Sequence, residues 1–298
     1  FPSKIRISGD RIDHLGWGGG GSLNIAPPIT SLDVRLLAGN INSVIKFKLF
    51  IPLTKGGNNE VFSTALLTEL GFLAPKTYHV PAIFNGKETT FLFQEKITKE
   101  FIESNNLREA PILEGDERFM FLNDTVGFDR FGLARIINNK WAEKGYTSLN
   151  ISITALTQLN KAYLEYLSGK HIYKNHTDRL LSSPNALLGH NSIDKDRGFS
   201  SIVLAMGAAH ALRPHNSSFY YDPIYRQFKP IYYDGNSTIT KLKLDSSLEQ
   251  FIRYGDKLSR DEIMGSSFAI KSLKKLNKEH FHSRLEVLGL NYSLEEVN

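Results

Sequence analysis

The sequence predicts an α+β fold of two lobes, with a small, mainly β lobe over residues 1–97 and a larger, mainly α lobe over residues 98–298. Two observations lead to this prediction. Up to residue 97, short runs alternate between apolar and polar side chains, which is the period of a strand, and a single helical run interrupts them. Beyond residue 97 apolar residues recur mostly at helical spacing, as at Ile153, Leu156 and Leu159.

The composition is that of a soluble globular protein. Of the 298 residues, 41% are hydrophobic and 22% charged, and no stretch approaches the roughly 20 apolar residues of a membrane span. Cysteine is absent, which excludes disulfides, thiolate metal sites and a cysteine nucleophile. This composition fits the bacterial cytoplasm and a secreted or surface location equally.

The net charge of +5 favours a phosphate-rich partner such as a nucleotide. A dense run of lysine and arginine with interleaved aromatic residues, typical of nucleic-acid binding, is missing from the sequence. A nucleic acid is therefore not the predicted partner.

The first two predicted strands, Lys4–Ile7 and 32–37, enclose the most glycine-dense segment of the chain. That segment contains Gly18, Gly19, Gly20 and Gly21. Glycines at such a turn allow backbone amides to approach phosphate oxygens without side chains intervening. The four glycines are therefore candidates for phosphate binding, and a flexible surface loop is the alternative.

The third predicted strand, 43–51, presents Lys46 and Lys48 on one face, where either could hold phosphates. Solvated lysines of an edge strand are the alternative. A helix with Asn58 as its N-cap follows and offers two carboxylates that could position such a lysine. Helical periodicity predicts Glu69 on the buried stripe and Glu60 away from it, but Glu60 lies in the first turn, near the loop that leaves the lysine strand. Both remain candidates.

A hairpin over residues 77–93 is predicted next, because Asn85-Gly86 separates two apolar runs. Its second strand ends in Gln94-Glu95. In the larger lobe, Asn216 precedes a strand-like pair whose second member ends at Asp234. Two oxygen ligands from adjacent loops suit Mg²⁺ or Mn²⁺, so Asn216 and Asp234 are the predicted metal ligands. A simple Asp-Gly turn at residue 234 is the alternative.

Several of these stretches resemble known kinases. The run 210–216 resembles the protein-kinase catalytic loop, with Asn216 at the metal-binding asparagine, and Tyr233-Asp234-Gly235 resembles the kinase Asp-Phe-Gly. The HipA kinases share the asparagine followed by a Pro-x-Tyr-Asp strand end. Three further stretches are similar to the spore-coat CotH family of atypical kinases, namely Leu70-Gly71-Phe72-Leu73-Ala74-Pro75, Asn85-Gly86 and Gln94-Glu95. The resemblance covers residues 4–97 and 205–240.

The resemblance implies a bilobal, protein-kinase-like fold that binds ATP and a divalent metal between its lobes. It implies a nucleotide-binding lobe over 1–97 and a helical lobe over 98–298 that carries the catalytic and metal loops. The residues it assigns to nucleotide binding are Gly18, Gly19, Gly20, Gly21, Lys46, Lys48, Glu60, Glu69, Gln94 and Glu95.

One position departs from the kinase pattern. The catalytic aspartate stands five residues before the metal-binding asparagine, and Ala211 occupies that place here. His210 or His215 could replace it as the base because imidazole titrates near neutrality, and Asp222 is a third candidate. The chain is thus predicted to be an ATP-dependent phosphotransferase, with a protein, polysaccharide or small-molecule acceptor. The alternatives are a nucleotide-sensing or partner-binding pseudokinase, adenylyl transfer, and a carbohydrate- or polyanion-binding protein.

Overall fold

The computed structural model describes residues 1–8, 29–116, 133–167, 183–189, 194–239, 260–293 and 297. They form a mixed α and β structure with two antiparallel sheets. The strands are β1 Ser3–Ile7, β2 Leu32–Leu36, β3 Lys46–Phe50, β4 Thr77–Phe84, β5 Lys87–Glu95, β6 Ile112–Gly115, β7 Ala134–Ile136, β8 Ser218–Asp222 and β9 Gln227–Ile231. The α-helices are α1 Asn58–Glu69, α2 Lys99–Ser104, α3 Asn139–Ala142, α4 Tyr146–Leu167, α5 Pro184–Leu187, α6 Asp194–Ala205, α7 Arg260–Lys274 and α8 Lys278–Val287. Two 3₁₀ helices are Pro52–Lys55 and Ala209–Leu212.

The chain divides into two compact units. The first consists of Phe1–Glu69, Ala74–Arg108 and Asn277–Asn298, and the second of Leu70–Leu73 and Glu109–Leu276. The sequence predicted a boundary at residue 97, whereas the first unit continues to Arg108 and includes the C-terminal helix α8. None of the helices in the described parts of the chain has the length and apolar character that a membrane span requires.

The first unit is built on a five-stranded sheet with the order β1-β2-β3-β5-β4. The predicted turn between β4 and β5 forms at Asn85 and Gly86, whose φ angles of 50° and 77° match the turn that Asn-Gly favours. One face of the sheet is apolar and buried, with Phe93 stacked between Phe47 and Tyr78 at centroid distances of 4.6 Å each. The core on this face consists of Leu32, Val34, Leu36, Val44, Phe47 and Phe93.

Helix α1 is buried on most of its circumference, and this reverses one prediction. Glu60, expected to point outward, is 1% exposed, whereas the Glu69 side chain, expected on the buried stripe, is 19% exposed. Helix α8 covers the side of α1 that carries Phe62, with the rings of Phe62 and Phe281 5.4 Å apart. Because protein also covers the side of α1 that carries Glu60, apolar periodicity could not identify the inward direction.

The second unit contains a four-stranded sheet with the order β7-β6-β8-β9. The predicted pair β8–β9 forms, and α4 packs on the sheet through Ala155, Leu159 and Tyr163. Strands β6 and β7 were not predicted, because segments of four and three residues are too short to show an alternating pattern. They are held by long-range pairing, such as that of Leu113 with Phe219. The second unit therefore has more β structure than the sequence suggested.

Candidate functional site

A lysine, an amide and a carboxylate meet on the second face of the first sheet. Lys48 in β3 lies directly opposite Gln94 in β5, and directly opposed residues share a face. Nε2 of Gln94 donates to Oε1 of Glu60 over 3.0 Å. Gln94 and Glu60 are each 1% exposed. Helix α1 thus brings its first-turn glutamate, rather than Glu69, to the lysine face of the sheet.

Of the other nucleotide-binding residues predicted in the first unit, Lys46 lies on the same face as Lys48, whereas Glu95 and Glu69 do not. Lys46 shares the face with Lys48 because it lies two residues away on the same strand. Glu95 lies on the opposite face, across from Phe47, and burial raises the pKa of its carboxyl group. Glu69 is paired with Arg284 at 2.9 Å. The four glycines 18–21 lie outside the described residues.

In the second unit, hydrogen bonds fix the short loop over residues 213–217. After the 3₁₀ helix at 209–212, the amide of Asn216 donates to the carbonyl of Arg213 over 2.8 Å. The hydroxyl of Tyr163 on α4 donates to the carbonyl of Pro214 over 3.1 Å. Burial raises the pKa of Tyr163, so its hydroxyl stays protonated and available as the donor. The loop therefore has a defined conformation in which Asn216 is buried.

The side-chain amide of Asn216 joins the loop to the segment after β9. Its Nδ2 lies 3.0 Å from the carbonyl oxygen of Asp234 and 3.2 Å from that of His210. The carbonyl of Tyr233 is 3.4 Å away. Because Nδ2 faces main-chain carbonyls, Oδ1 of Asn216 is the atom that remains to bind a cation.

The ring of His210 contacts the same carbonyl. Its Nδ1 lies 2.7 Å from the Asp234 carbonyl oxygen and 3.1 Å from Nδ2 of Asn216. Because a carbonyl only accepts, the tautomer with its proton on Nδ1 fits the shorter of the two contacts. In the neutral imidazole this leaves Nε2 unprotonated, with its lone pair as the basic site. The ring of His215 lies 6.0 Å from that of His210.

Asp234 itself has an unusual backbone. Its φ is 50°, in the left-handed region that a residue other than glycine seldom adopts. The next residue, Gly235, is needed as glycine because a Cβ there would overlap the ring and hydroxyl of Tyr232. Backbone conformations of this kind occur often at functional sites, because the surrounding contacts offset their cost. Here the contacts are those of His210 and Asn216.

Asp222 is not brought to this cluster. In the β8–β9 pairing Asp222 faces Gln227 beside the turn, whereas Ser218 and Ile231 are paired at the end nearer Asn216 and Asp234. Although burial disfavours its charged form, hydrogen bonds from Lys229 and from turn amides lower the pKa of Asp222. Lys229 lies 2.8 Å away. Asp222 therefore stabilises the hairpin turn.

The side-chain oxygen atoms of this cluster are suitable ligands for a hard divalent cation. The side-chain oxygens of Asn216 and Asp234 are of the type that Mg²⁺ and Mn²⁺ prefer, and such ions commonly keep several waters and bind substrate phosphates. Within the ranges that the structure describes, no group of three or more His, Asp or Glu side chains is placed to hold a metal by itself. The two residues fit a site that water and phosphate oxygens complete.

Gly115 is a site residue that sequence reasoning missed. It ends β6, and a Cβ at this position would overlap the backbone of Pro214 and His215. Its amide donates to the carbonyl of Ser217 over 3.0 Å. Strand β6 can therefore approach the loop that carries Asn216 only with glycine here. The available signal was a glycine at the end of an apolar run.

Comparison with known proteins gives limited information. No protein-family model matches the chain, and no curated protein matches it. Among solved structures, it is similar to the crystal structure of a Helicobacter pylori proinflammatory kinase, CtkA, at 10% sequence identity and a TM-score of 0.38. The alignment covers 98% of this chain and 88% of that chain. At this level the similarity assigns neither fold nor activity.

Proposed function

We propose that the protein is an ATP- and divalent-metal-dependent phosphotransferase of the protein-kinase-like, CotH-like type. One observation carries the proposal: the Asn216 amide and the His210 ring both bond to the main chain of Asp234. This convergence supports a role for Asn216 and Asp234 as a pair of oxygen ligands, with His210 as the base. Metal binding and proton removal are two of the functions that a protein supplies for phosphoryl transfer to a hydroxyl.

The residues of each unit have separate roles in this proposal. Asn216 and Asp234 hold Mg²⁺ or Mn²⁺, which supplies neutralisation of phosphate charge when bound. In the first unit Lys48, or Lys46 beside it, binds the phosphates of ATP together with the glycines 18–21. Glu60 acts through Gln94, to which it is hydrogen-bonded, and stabilises the positive charge of Lys48 on the same face. Glu69 and Asp222 have no part.

The transfer step follows from these roles. The hydroxyl oxygen of the acceptor attacks the γ-phosphorus of ATP, and the bond from that phosphorus to the oxygen bridging the β-phosphate breaks. The bridging oxygen keeps the electron pair and leaves as part of ADP. The hydroxyl proton passes to Nε2 of His210, the unprotonated nitrogen of the ring. The acceptor is a protein, a polysaccharide or a small molecule that carries a hydroxyl group.

ATP binding measured by calorimetry with and without Mg²⁺ or Mn²⁺ tests the proposal. We expect metal-dependent binding that Asp234→Asn abolishes, because this change removes a charged ligand and keeps the shape. Asp194→Asn is the matched control, since Asp194 is an exposed acid of the same unit. Phosphate transfer from γ-labelled ATP is then measured with protein, polysaccharide and small-molecule acceptors. Absence of ATP binding under all conditions refutes the proposal.

Ala211 favours one second candidate, a pseudokinase that binds nucleotide without transferring phosphate. It occupies the position where the kinase resemblance implies an aspartate, and it is buried at 6% exposure. A side chain so enclosed, and without a polar atom, cannot contact an acceptor. Metal-dependent ATP binding without transfer to any acceptor supports this candidate. Transfer that His210→Ala abolishes excludes it.

A further inference from the structure

The polar face of the first sheet carries a row of basic side chains that crosses four strands. Lys4 in β1 is paired with Arg35 in β2, and Arg35 is paired with Lys46 in β3. The row continues beyond β5, where the amide of Lys96 donates to the carbonyl of Lys46 over 3.0 Å. Directly paired residues point to the same side of a sheet. We call Lys4, Arg35, Lys46 and Lys96 the basic row.

The adjacent row on the same face has a different charge pattern. It runs through Arg6, Asp33, Lys48 and Gln94, so its acid stands between two bases. Arg6 contacts Asp33 at 2.7 Å, and Lys96 reaches across from the basic row to the same carboxylate at 2.8 Å. Of the eight residues in the two rows, six are basic and one is acidic.

The basic row places like charges opposite one another, although Lys96 is also paired with Asp33 of the adjacent row. Like charges directly opposite one another on neighbouring strands repel, and the basic row contains such pairs in succession. Lys4 and Arg35 are exposed and Lys46 and Lys96 are half-buried. Bases thus occupy strand positions at which a neutral polar side chain would avoid this repulsion. Residues that break a local rule of stability in this way are expected at functional sites.

We propose that the basic row, together with Lys48, binds an oligophosphate chain, with Arg35 at its centre. Three inter-strand steps of about 4.8 Å give the row a length of about 14 Å, enough for a chain of three or more phosphates. A guanidinium group binds two oxygens of one phosphate, while ammonium groups act as point charges on either side. The inference rests on the proposed function in taking ATP as the source of the chain, and inorganic polyphosphate offers the same chemistry.

Calorimetry on the full chain with ATP and Mg²⁺, inorganic tripolyphosphate and adenosine tests the inference. The variants are Arg35→Gln, Lys46→Gln and, as the charge-matched control, Lys87→Gln at the exposed β4–β5 turn. We expect Arg35→Gln to weaken tripolyphosphate and ATP binding about tenfold, the value of one charged hydrogen bond. Lys87→Gln leaves both affinities unchanged, and binding of tripolyphosphate weakens as salt rises. The melting temperature of Arg35→Gln should equal or exceed that of the wild type.

The outcomes separate this inference from the proposed function. Equal affinities of wild type and Arg35→Gln for both phosphate ligands overturn the inference, and metal-dependent ATP binding in that case leaves the proposed function standing. Tripolyphosphate binding that depends on Arg35, in a chain that does not bind ATP, supports the inference and refutes the proposed function. Failure of the wild type to bind either ligand refutes both.

Discussion

The two candidate clusters of this protein are assembled in different ways. In the second unit, His210, Asn216 and Asp234 come from segments within 24 residues of one another, and their side chains bond mainly to main-chain carbonyls. In the first unit, Glu60 and Gln94 are 34 residues apart and bond through their side chains. The second cluster depends on the conformation of a short loop, whereas the first depends on how a helix is set against a sheet.

The difference determines which changes each cluster tolerates. A side chain held by main-chain carbonyls loses its position when the backbone of its loop moves. A side chain held by another buried side chain loses its partner when that residue is replaced, which leaves a polar group unsatisfied. We therefore expect the second unit to be sensitive to backbone displacement and the first to single polar substitutions.

Each unit also pairs a carboxylate with a buried amide, the buried Glu60 with Gln94 and the half-buried Asp196 with Asn185. Burial raises the pKa of Asp196 from 3.8 to about 6, against the hydrogen bonds that favour its charged form. The folded state thus prefers protonated Asp196, and its stability falls as the pH rises from about 4 to about 6. A shift of this size amounts to roughly 3 kcal/mol of unfolding free energy.

Urea unfolding at pH 4 and pH 7 checks this pH effect. Between pH 4 and pH 7 the wild type should lose most of this unfolding free energy. Asp196→Asn should not lose it, since the asparagine cannot ionise. Asp194→Asn, which changes an exposed acid of the same helix, should follow the wild-type pH dependence. Parallel stability curves for Asp196→Asn and the wild type would contradict the prediction.

Gly115→Ala tests the sensitivity of the second unit to backbone displacement. The added Cβ overlaps the backbone of the loop at residues 214 and 215, so the loop must move. We expect a loss of about 2 kcal/mol of unfolding free energy, within the range for overpacking, together with loss of metal-dependent ATP binding. Gly145→Ala is the control, because a Cβ there has no neighbour within 4 Å. Unchanged nucleotide binding in Gly115→Ala would show that the conformation of this loop does not determine metal and ATP binding.

Glu60→Ala and Glu69→Ala compare the two ends of helix α1. Removing Glu60 leaves Nε2 of Gln94 buried without its acceptor, which should cost about 1 to 2 kcal/mol. Glu69 is partly exposed and paired with Arg284, so its removal should cost at most about 1 kcal/mol. Chemical denaturation measures both, and Glu60→Ala should also weaken ATP binding. A larger loss of unfolding free energy in Glu69→Ala than in Glu60→Ala would show that the C-terminal end of α1 contributes more to stability than its first turn.

Arg35→Gln should slightly stabilise the first unit. Arg35 lies between Lys4 and Lys46 in the sheet, and removing one of three adjacent like charges should add about 0.5 kcal/mol. The gain should shrink at high salt because screening weakens the repulsion. Differential scanning calorimetry at low and high salt measures it, with Lys87→Gln as the control. A lower melting temperature for Arg35→Gln at low salt would show that the row does not repel itself.

The structure agrees with those predictions that depended on residues close in sequence. The β4–β5 hairpin forms about Asn85 and Gly86, and helix α1 is followed by Gly71 in the left-handed region. The helix begins one residue earlier than predicted, because Asn58, the predicted N-cap, is its first residue. The proximity of Asn216 to Asp234 also followed from a short strand pair that needs only one turn. In contrast, Asp222 was a candidate base because it lies on the same hairpin, and the pairing places it at the turn.

The strands β1 to β5, helix α1 and the β8–β9 pair could be predicted from the sequence, because turn residues and apolar periodicity act over a few neighbours. Tertiary packing joins Glu60 rather than Glu69 to Gln94, because the burial of a helix side depends on what covers it. It also decided that Lys4, Arg35, Lys46 and Lys96 form one row, because strand register is set by pairing between distant segments. Local propensities carry no information about helix burial or strand register. Both the Glu60–Gln94 pair and the basic row depend on these two features.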